Sequence, residues 1–300
     1  MPTGAVIEFT GISKNFGKVA AVSDLSFTVL PGRVTGFLGP NGAGKTTSLR
    51  ILLGLVAASS GTATFGGLRY RDLPNPLKTV GAALEAASFH PGRTARNHLG
   101  VYAIASGLPR NRVMDVLTQV GLGDHANQRV GGYSLGMRQR LGLAFALIGD
   151  PGVLVLDEPI NGLDPEGIRW IRGFLRDMAA EGRTVLVSSH LLSEVQQSVD
   201  DVIIIAGGSL VHVGPLSSID TNTAPQTIVD SPDREALAAA LTAANIAFSI
   251  GRTGLLAATP DPALLGHLAF TAGVELSVLH RQKVGLEDSF LALVGGSHSL

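Results

Sequence analysis

Cysteine is missing altogether from these 300 residues, tryptophan occurs once, and aromatic residues make up only 5%. Without thiols there is no disulfide, no thiolate metal site and no cysteine nucleophile, a composition that suits a reducing compartment. No run approaches the ~18 uninterrupted apolar residues that a membrane-spanning helix requires. The opening residues, MPTGAVIEFTGISKNFGK, lack the apolar core of a signal peptide, so a cytoplasmic location is expected. Charge of one sign is missing too. With 23 Lys and Arg against 24 Asp and Glu the net charge is −1, which offers no general basic field for nucleic acid. What remains is a chain that is 45% apolar, enough for a sizeable core and, at ~150 residues per domain, for about two domains.

Glycine, by contrast, is abundant, and its most informative cluster is GPNGAGKTT, the run Gly39, Pro40, Asn41, Gly42, Ala43, Gly44, Lys45, Thr46 and Thr47. The run follows an apolar, strand-like stretch, Val34 to Leu38, and opens into a helical pattern, Ser48 to Leu55. That strand–loop–helix context is what a phosphate-binding loop requires. Its glycines let backbone N–H groups turn inward around phosphates, and the helix N-terminus behind them favours negative charge. Lys45 is expected to reach the β and γ phosphates of a nucleoside triphosphate, and the Thr46 hydroxyl to bind Mg²⁺.

Three further segments carry chemistry. Val153 to Leu156 is an apolar strand buried on both faces whose end delivers Asp157 and Glu158. Asp157 is expected to hold Mg²⁺, and Glu158 to orient and deprotonate an attacking water. His190 comes just after the expected strand Thr184 to Ser188, where a neutral imidazole could hydrogen-bond a γ-phosphate; a lone histidine at a strand end is more often a capped or solvated side chain. In Tyr133 to Arg140, Ser134 has N-cap chemistry at the start of a helical run, whose free N–H groups could face an anion.

Punctuation by glycine and proline orders the rest. Strands are expected at Ala5 to Phe9, Leu25 to Leu30, Gly61 to Phe65 and Thr79 to Leu84, then a largely helical stretch from about Arg93 to Asp150. From Val153 to Ala206 strands and helices alternate, as in a parallel sheet covered by helices. A polar, proline-containing linker is expected over 216–225. Beyond it, strands at Thr227 to Asp230, Ala247 to Ile250, Leu255 to Ala258 and Val274 to Leu279, with helices at Asp233 to Asn245 and Pro262 to Ala272, give the β-α-β-β-α-β order of a small ferredoxin-like domain. A last helix is expected at Leu286 to Val294.

The ordered set GPNGAGKTT, YSLGMRQR, VLVLDEP, NGLD and SSH resembles the ATP-binding subunit of an ABC transporter, over roughly Ala5 to Pro215. The resemblance implies an α/β P-loop ATPase fold for 1–215, with a parallel-sheet core, an N-terminal antiparallel β part and a helical subdomain over about 86–150. Residues 226–300 then form an accessory or regulatory α+β domain. It implies ATP and Mg²⁺ as ligands, and a head-to-tail pairing in which Ser134 and Gly136 of one subunit clamp the γ-phosphate held by Lys45 of the other. Asp164 of Asn161-Gly162-Leu163-Asp164 would sit at that seam. Phe16 falls where the family stacks an aromatic ring on adenine, although an ordinary surface or core phenylalanine would read the same way. The chain departs from the family pattern at Leu135 and Met137, where a glycine and a glutamine are usual, and at Glu85, where a glutamine usually contacts Mg²⁺.

These variants and the C-terminal appendage resemble the subunits of bacitracin- or lantibiotic-type exporters. The implied function is ATP hydrolysis that powers export through separate transmembrane permease subunits. The partner in the nucleotide-bound pair would be a second copy or a sister subunit, peripheral on the inner face of the cell membrane, with no nucleic acid involved. The rival reading is a soluble ABC-type assembly ATPase with a non-membrane partner.

Overall fold

Continuous apolar runs make strands that bury both faces, and alternating runs make strands that bury one; both kinds occur here, in separate sheets. The computed structural model describes residues 2–84, 89–222, 226–251, 253–281, 290 and 293–294. The chain divides into two units, built on Met1–Leu216 and on Ser217–Ala292.

The first unit opens with long antiparallel strands β1 (Ile7–Phe16) and β2 (Val19–Val29), after which β3 (Val34–Leu38) runs through a glycine-rich loop into helix α1 (Lys45–Leu52). β4 (Ser60–Phe65) returns to pair with β1, giving a three-stranded sheet in the order β2-β1-β4. A short helix α2 (Pro76–Thr79) leads into β5 (Val80–Ala83), followed by helices α3 (Ala95–Ala105), α4 (Arg112–Gln119) and α5 (Leu135–Leu147). Then β6 (Val153–Leu156), α6 (Pro165–Ala180), β7 (Thr184–Ser189), α7 (Leu192–Val195), β8 (Asp201–Ala206) and β9 (Ser209–Pro215) complete a six-stranded sheet in the order β5-β6-β7-β3-β8-β9. All its neighbours are parallel except the β8–β9 hairpin. Every residue of β3, β6 and β7 is buried, the uninterrupted apolar run of β6 and the polar Thr35, Thr184, Ser188 and Ser189 alike.

Phe9 stacks on Phe27 at 4.3 Å between ring centroids, and Phe27 meets Phe37 at 5.5 Å. This chain of rings joins the antiparallel sheet to β3, directly beneath the loop that follows it. Phe37 is fully buried, and truncating a phenylalanine in such a place costs about 3–5 kcal/mol.

Several boundaries differ from those expected, among them the start of β2 at Val19 rather than Leu25. β1 continues to Phe16 rather than stopping at Phe9, because Gly11 takes φ +59° and the β1–β2 register shifts between Phe9 and Ile12. The bulge resets the two-residue alternation without ending the pairing. Where a linker is expected, Leu216–Asn222 forms a 3₁₀ turn and Ile219 is buried.

The second unit comprises β10 (Thr227–Asp230), α8 (Arg234–Ala243), β11 (Phe248–Gly251), β12 (Gly254–Ala257), α9 (Pro262–Thr271) and β13 (Val278–Arg281). Its sheet is antiparallel in the order β11-β12-β10-β13. Asp233 and Asp261 cap its two helices through their side chains, and a core of Val229, Leu237, Leu241, Leu255, Ala257 and Leu265 fills the layer beneath the sheet. The last strand begins at Val278 rather than Val274. The Val274 amide instead closes the end of α9 on Ala269 O, and Val274 and Leu276 pack against this core as connection residues. Of the helix expected at Leu286 to Val294, residues 290, 293 and 294 are described and are helical, and the rest lie outside the described residues. Among the described residues, no helix is long and apolar enough to cross a membrane.

Candidate active site

Parallel strands present their C-terminal ends together, and ligands gather there where the strand order reverses. In the order β6-β7-β3-β8, β3 is that central strand. The register pairs Leu156 with Val187 and Leu38 with Ser189. Continuing each pair by one residue sets Asp157 level with Ser188, and Gly39 level with His190. Three loops, far apart in sequence, therefore meet at one edge of the sheet.

The phosphate-loop candidates line a hollow of about 250 Å³ made by Ala21, Asn41, Gly42, Ala43, Gly44, Lys45, Thr46, Thr47 and Glu158. Gly39 and Pro40 stand just before it, their carbonyls accepting hydrogen bonds from Lys45 Nζ at 2.6 and 3.3 Å. Only glycine suits position 44, which takes φ +100° and where a Cβ would lie 2.5 Å from Ala21 O. Gly44 also begins α1 without a side-chain cap, and the first turn carries no acidic residue. The helix therefore keeps its amide donors available for an anion. Burial pushes the Lys45 ammonium below its ordinary value, an effect opposed by the charges of Glu158 and Asp157.

The carboxylates of the β6 end meet this loop. Thr46 Oγ1 donates to Asp157 Oδ2 at 2.8 Å, and the Ser188 hydroxyl donates to Asp157 Oδ1. Burial pushes the Asp157 carboxyl up, while its hydrogen bonds from Ser188 and Thr46 pull the other way. Glu158 lies 3.6 Å from Lys45 Nζ through Oε1, and its Oε2 lies 3.0 Å from His190 Nδ1. Regular strand geometry would point Asp157 and Glu158 to opposite faces. Here Glu158 adopts φ +49°, a left-handed conformation that turns its side chain back toward Lys45.

Ser134 caps α5, its hydroxyl accepting the Met137 amide at 3.2 Å, and Asp164 caps α6 by accepting the Gly167 amide at 2.8 Å. Ser134, Gly136 and Asp164 line a separate hollow of about 460 Å³ that also includes Leu135, Leu163 and Trp170. No residue is common to this hollow and the one at Lys45. The candidates are thus gathered into two groups, in hollows that share no lining residue. Phe16 is half exposed at the end of β1, with Lys14 Nζ 4.9 Å from its ring centroid. Glu85 lies outside the described residues.

Two side chains join the site without having been expected. Ser188 bridges Asp157 and the Glu158 amide. Glu194 places a second acid beside Glu158, the ligand atoms of Glu158, His190 and Glu194 all lying within 4.8 Å of one another, and it accepts from Ser189 Oγ at 2.8 Å. The doubled serine before His190 was the available signal, but sequence alone cannot say which hydroxyl faces the carboxylates.

Residues 22–161 match the family described as ABC transporter. The chain is 36% identical over 304 residues to the ABC transporter ATP-binding protein YhcH of Bacillus subtilis, covering 97% of this chain and 96% of the relative. It is 41% identical over 217 residues to the bacitracin transport ATP-binding protein BcrA of Bacillus licheniformis, covering 71% of each. Among solved structures, it matches one described as the ATP-binding subunit of an ABC transporter, with a TM-score of 0.64 and 26% identity, over 71% of this chain and 91% of that one. With near-complete coverage at this identity, an ABC-type α/β core and a nucleotide loop meeting two carboxylates, the chain belongs to the ABC transporter family as an ATP-binding, ATP-hydrolysing subunit.

Proposed function

We propose that this subunit powers export through separate transmembrane permease subunits, with a peptide antibiotic or similar drug as cargo. The relative named for bacitracin transport supports the cargo class. The observation that carries the reading is the linked set Lys45, Thr46, Asp157, Glu158 and His190 at one sheet edge.

In this reading, the loop amides and Lys45 take the β and γ phosphates, the ammonium exchanging its carbonyl partners for phosphate oxygens. Thr46 and Asp157 offer paired oxygen donors of the hard type suited to Mg²⁺, and these residues would hold it, with Glu85 assigned to it by motif position alone. The ion supplies charge neutralisation on the phosphates. Glu158 takes a proton from water as the water oxygen attacks the γ-phosphorus, a role contributing ~10²–10⁴-fold in rate. The bond to the β–γ bridging oxygen breaks, leaving ADP and phosphate. His190 meets Glu158 through Nδ1, which leaves Nε2 for a γ-phosphate oxygen.

Ser134, Gly136 and Asp164 occupy the second hollow. Head-to-tail pairing with a second copy or a sister subunit would set Ser134 and Gly136 of one chain against the phosphates held by the other, with Asp164 at the seam. Phe16, half exposed at the end of β1, would stack on adenine. ATP-driven closure would then move the helical subdomain, about 86–150, against cytoplasmic helices of the permease, placing the subunit at the inner face of the membrane. Residues 1–215 form the motor and 216–225 the linker. Residues 226–300 form a ferredoxin-like accessory or regulatory domain.

An affinity pull-down of the tagged chain from native, detergent-solubilised membranes tests the transport reading. We expect a stoichiometric partner with about six apolar spans of ~20 residues. Recovery of soluble partners alone, under conditions where membrane complexes survive, would instead favour an assembly ATPase.

A further inference from the structure

We propose that Ser188 is a positioning residue that fixes the two carboxylates of the site relative to each other. This rests on the roles given above to Asp157 and Glu158. Ser188 is fully buried on β7. A hydroxyl there is tolerated only when its hydrogen-bonding capacity is used, and Ser188 uses both directions. Its Oγ accepts the Glu158 amide at 2.9 Å and donates to Asp157 Oδ1.

Each contact answers a specific need. Glu158 sits at φ +49°, a region that non-glycine residues rarely adopt, and such strain persists only where neighbouring structure holds it. The Ser188 acceptor holds the amide of that residue. Asp157, for its part, can rotate about its side chain. With Oδ1 held by Ser188, Oδ2 is left facing Thr46. One oxygen atom thereby sets where both acids point. The adjacent Ser189 cannot substitute, because strand alternation turns it away and its hydroxyl is engaged with Glu194 and the Leu191 amide.

The test uses the full chain with Ser188→Ala and Ser188→Cys, the second retaining side-chain volume while offering only a weak donor and acceptor. Residues that orient ligating groups typically cost 10–100-fold in activity or metal affinity when removed. We therefore expect kcat to fall about 10-fold or more in both variants while KM stays within about threefold. ATP binding by equilibrium dialysis in EDTA, which reports the loop and Lys45, should stay within about twofold of wild type. The Mg²⁺ concentration needed to tighten that binding should rise several-fold. Turnover of either variant within twofold of wild type would overturn the proposal, as would a loss of ATP binding in EDTA parallel to the loss of kcat. If the alanine variant does not fold, the cysteine variant decides.

Glu158→Gln, measured alongside, separates the two levels. If it stalls hydrolysis while the Ser188 variants turn over normally, only the positioning role fails. If it turns over normally, the assignment of Glu158 beneath that role fails.

Discussion

Helices α1 and α5 both start beside glycine-bearing turns and both are candidates for facing phosphate, yet their first turns are prepared differently. α1 starts at Gly44 with no side-chain cap, and Lys45, 6% exposed, is the one cation among the residues lining its hollow. α5 starts at Ser134, whose own hydroxyl already accepts the Met137 amide, and half-exposed Leu135 stands at its mouth. The first offers uncapped amides and a lysine from within one chain, as the proposed phosphate site requires. The second is stable without an anion and presents its remaining donors outward, which suits a surface completed by a partner. In the proposed function the same helix-end physics would serve primary binding at α1 and conditional clamping at α5.

Lys45→Ala should strike the first site hardest. Losing charge-assisted bonds worth ~1.5–3 kcal/mol to phosphate, it should weaken ATP binding by on the order of 100-fold in equilibrium dialysis. Binding close to wild type would erase the distinction between the two helix ends.

Ser134→Ala should sharpen it. Removing the cap costs about 1 kcal/mol of stability, measurable in urea, while ATP affinity of the isolated chain stays within about twofold. ATP-dependent association with the partner subunit, followed by sedimentation, should be lost. Weakened binding in the single chain would mean that the two ends are not separate.

The smallest effect lies in α3, whose His98 is buried among Phe89, Tyr102 and Phe145, with Nδ1 unpartnered among the described residues. Burial first, and the Arg93 charge second, hold its pKa below the ordinary imidazole value. The folded protein therefore favours neutral His98, and the stability this contributes is intact above pH ~6.5 and is lost as pH falls below that value toward the folded pKa. Urea unfolding of His98→Phe should show a shallower decline than wild type over that range, by at most about 1.4 kcal/mol per pH unit. Parallel declines would show that His98 is not a source of the acid sensitivity. Neither helix end should respond to this change, which makes the variant a control for the first two.

Much of the motor was legible because its signals are local. GPNGAGKTT between a strand and a helix, and a buried strand ending in Asp157-Glu158, each need only neighbouring residues to be recognised. Other features depend on contacts that local patterning does not encode. A bulge at Gly11 hid the second half of β1 from any test of alternation. Glu158 faces Lys45 through a left-handed backbone angle that alternation along a strand cannot foresee. The choice between Ser188 and Ser189 depended on cross-strand register, which pairs Leu156 with Val187 and so brings Ser188 beside Asp157. The apolar spacing of Val274 and Leu276 looked like a strand, but those side chains cover the small core from a connecting segment.

The most direct measurement is ATP binding and phosphate release followed on the same preparation of Glu158→Gln. The substitution keeps the size of the side chain while removing the carboxylate that faces Lys45 and His190. We expect ATP to bind as in wild type and phosphate release to fall ~10²–10⁴-fold. Release at the wild-type rate with binding intact would show that Glu158 is not the base and would contradict the assignment at the centre of this site.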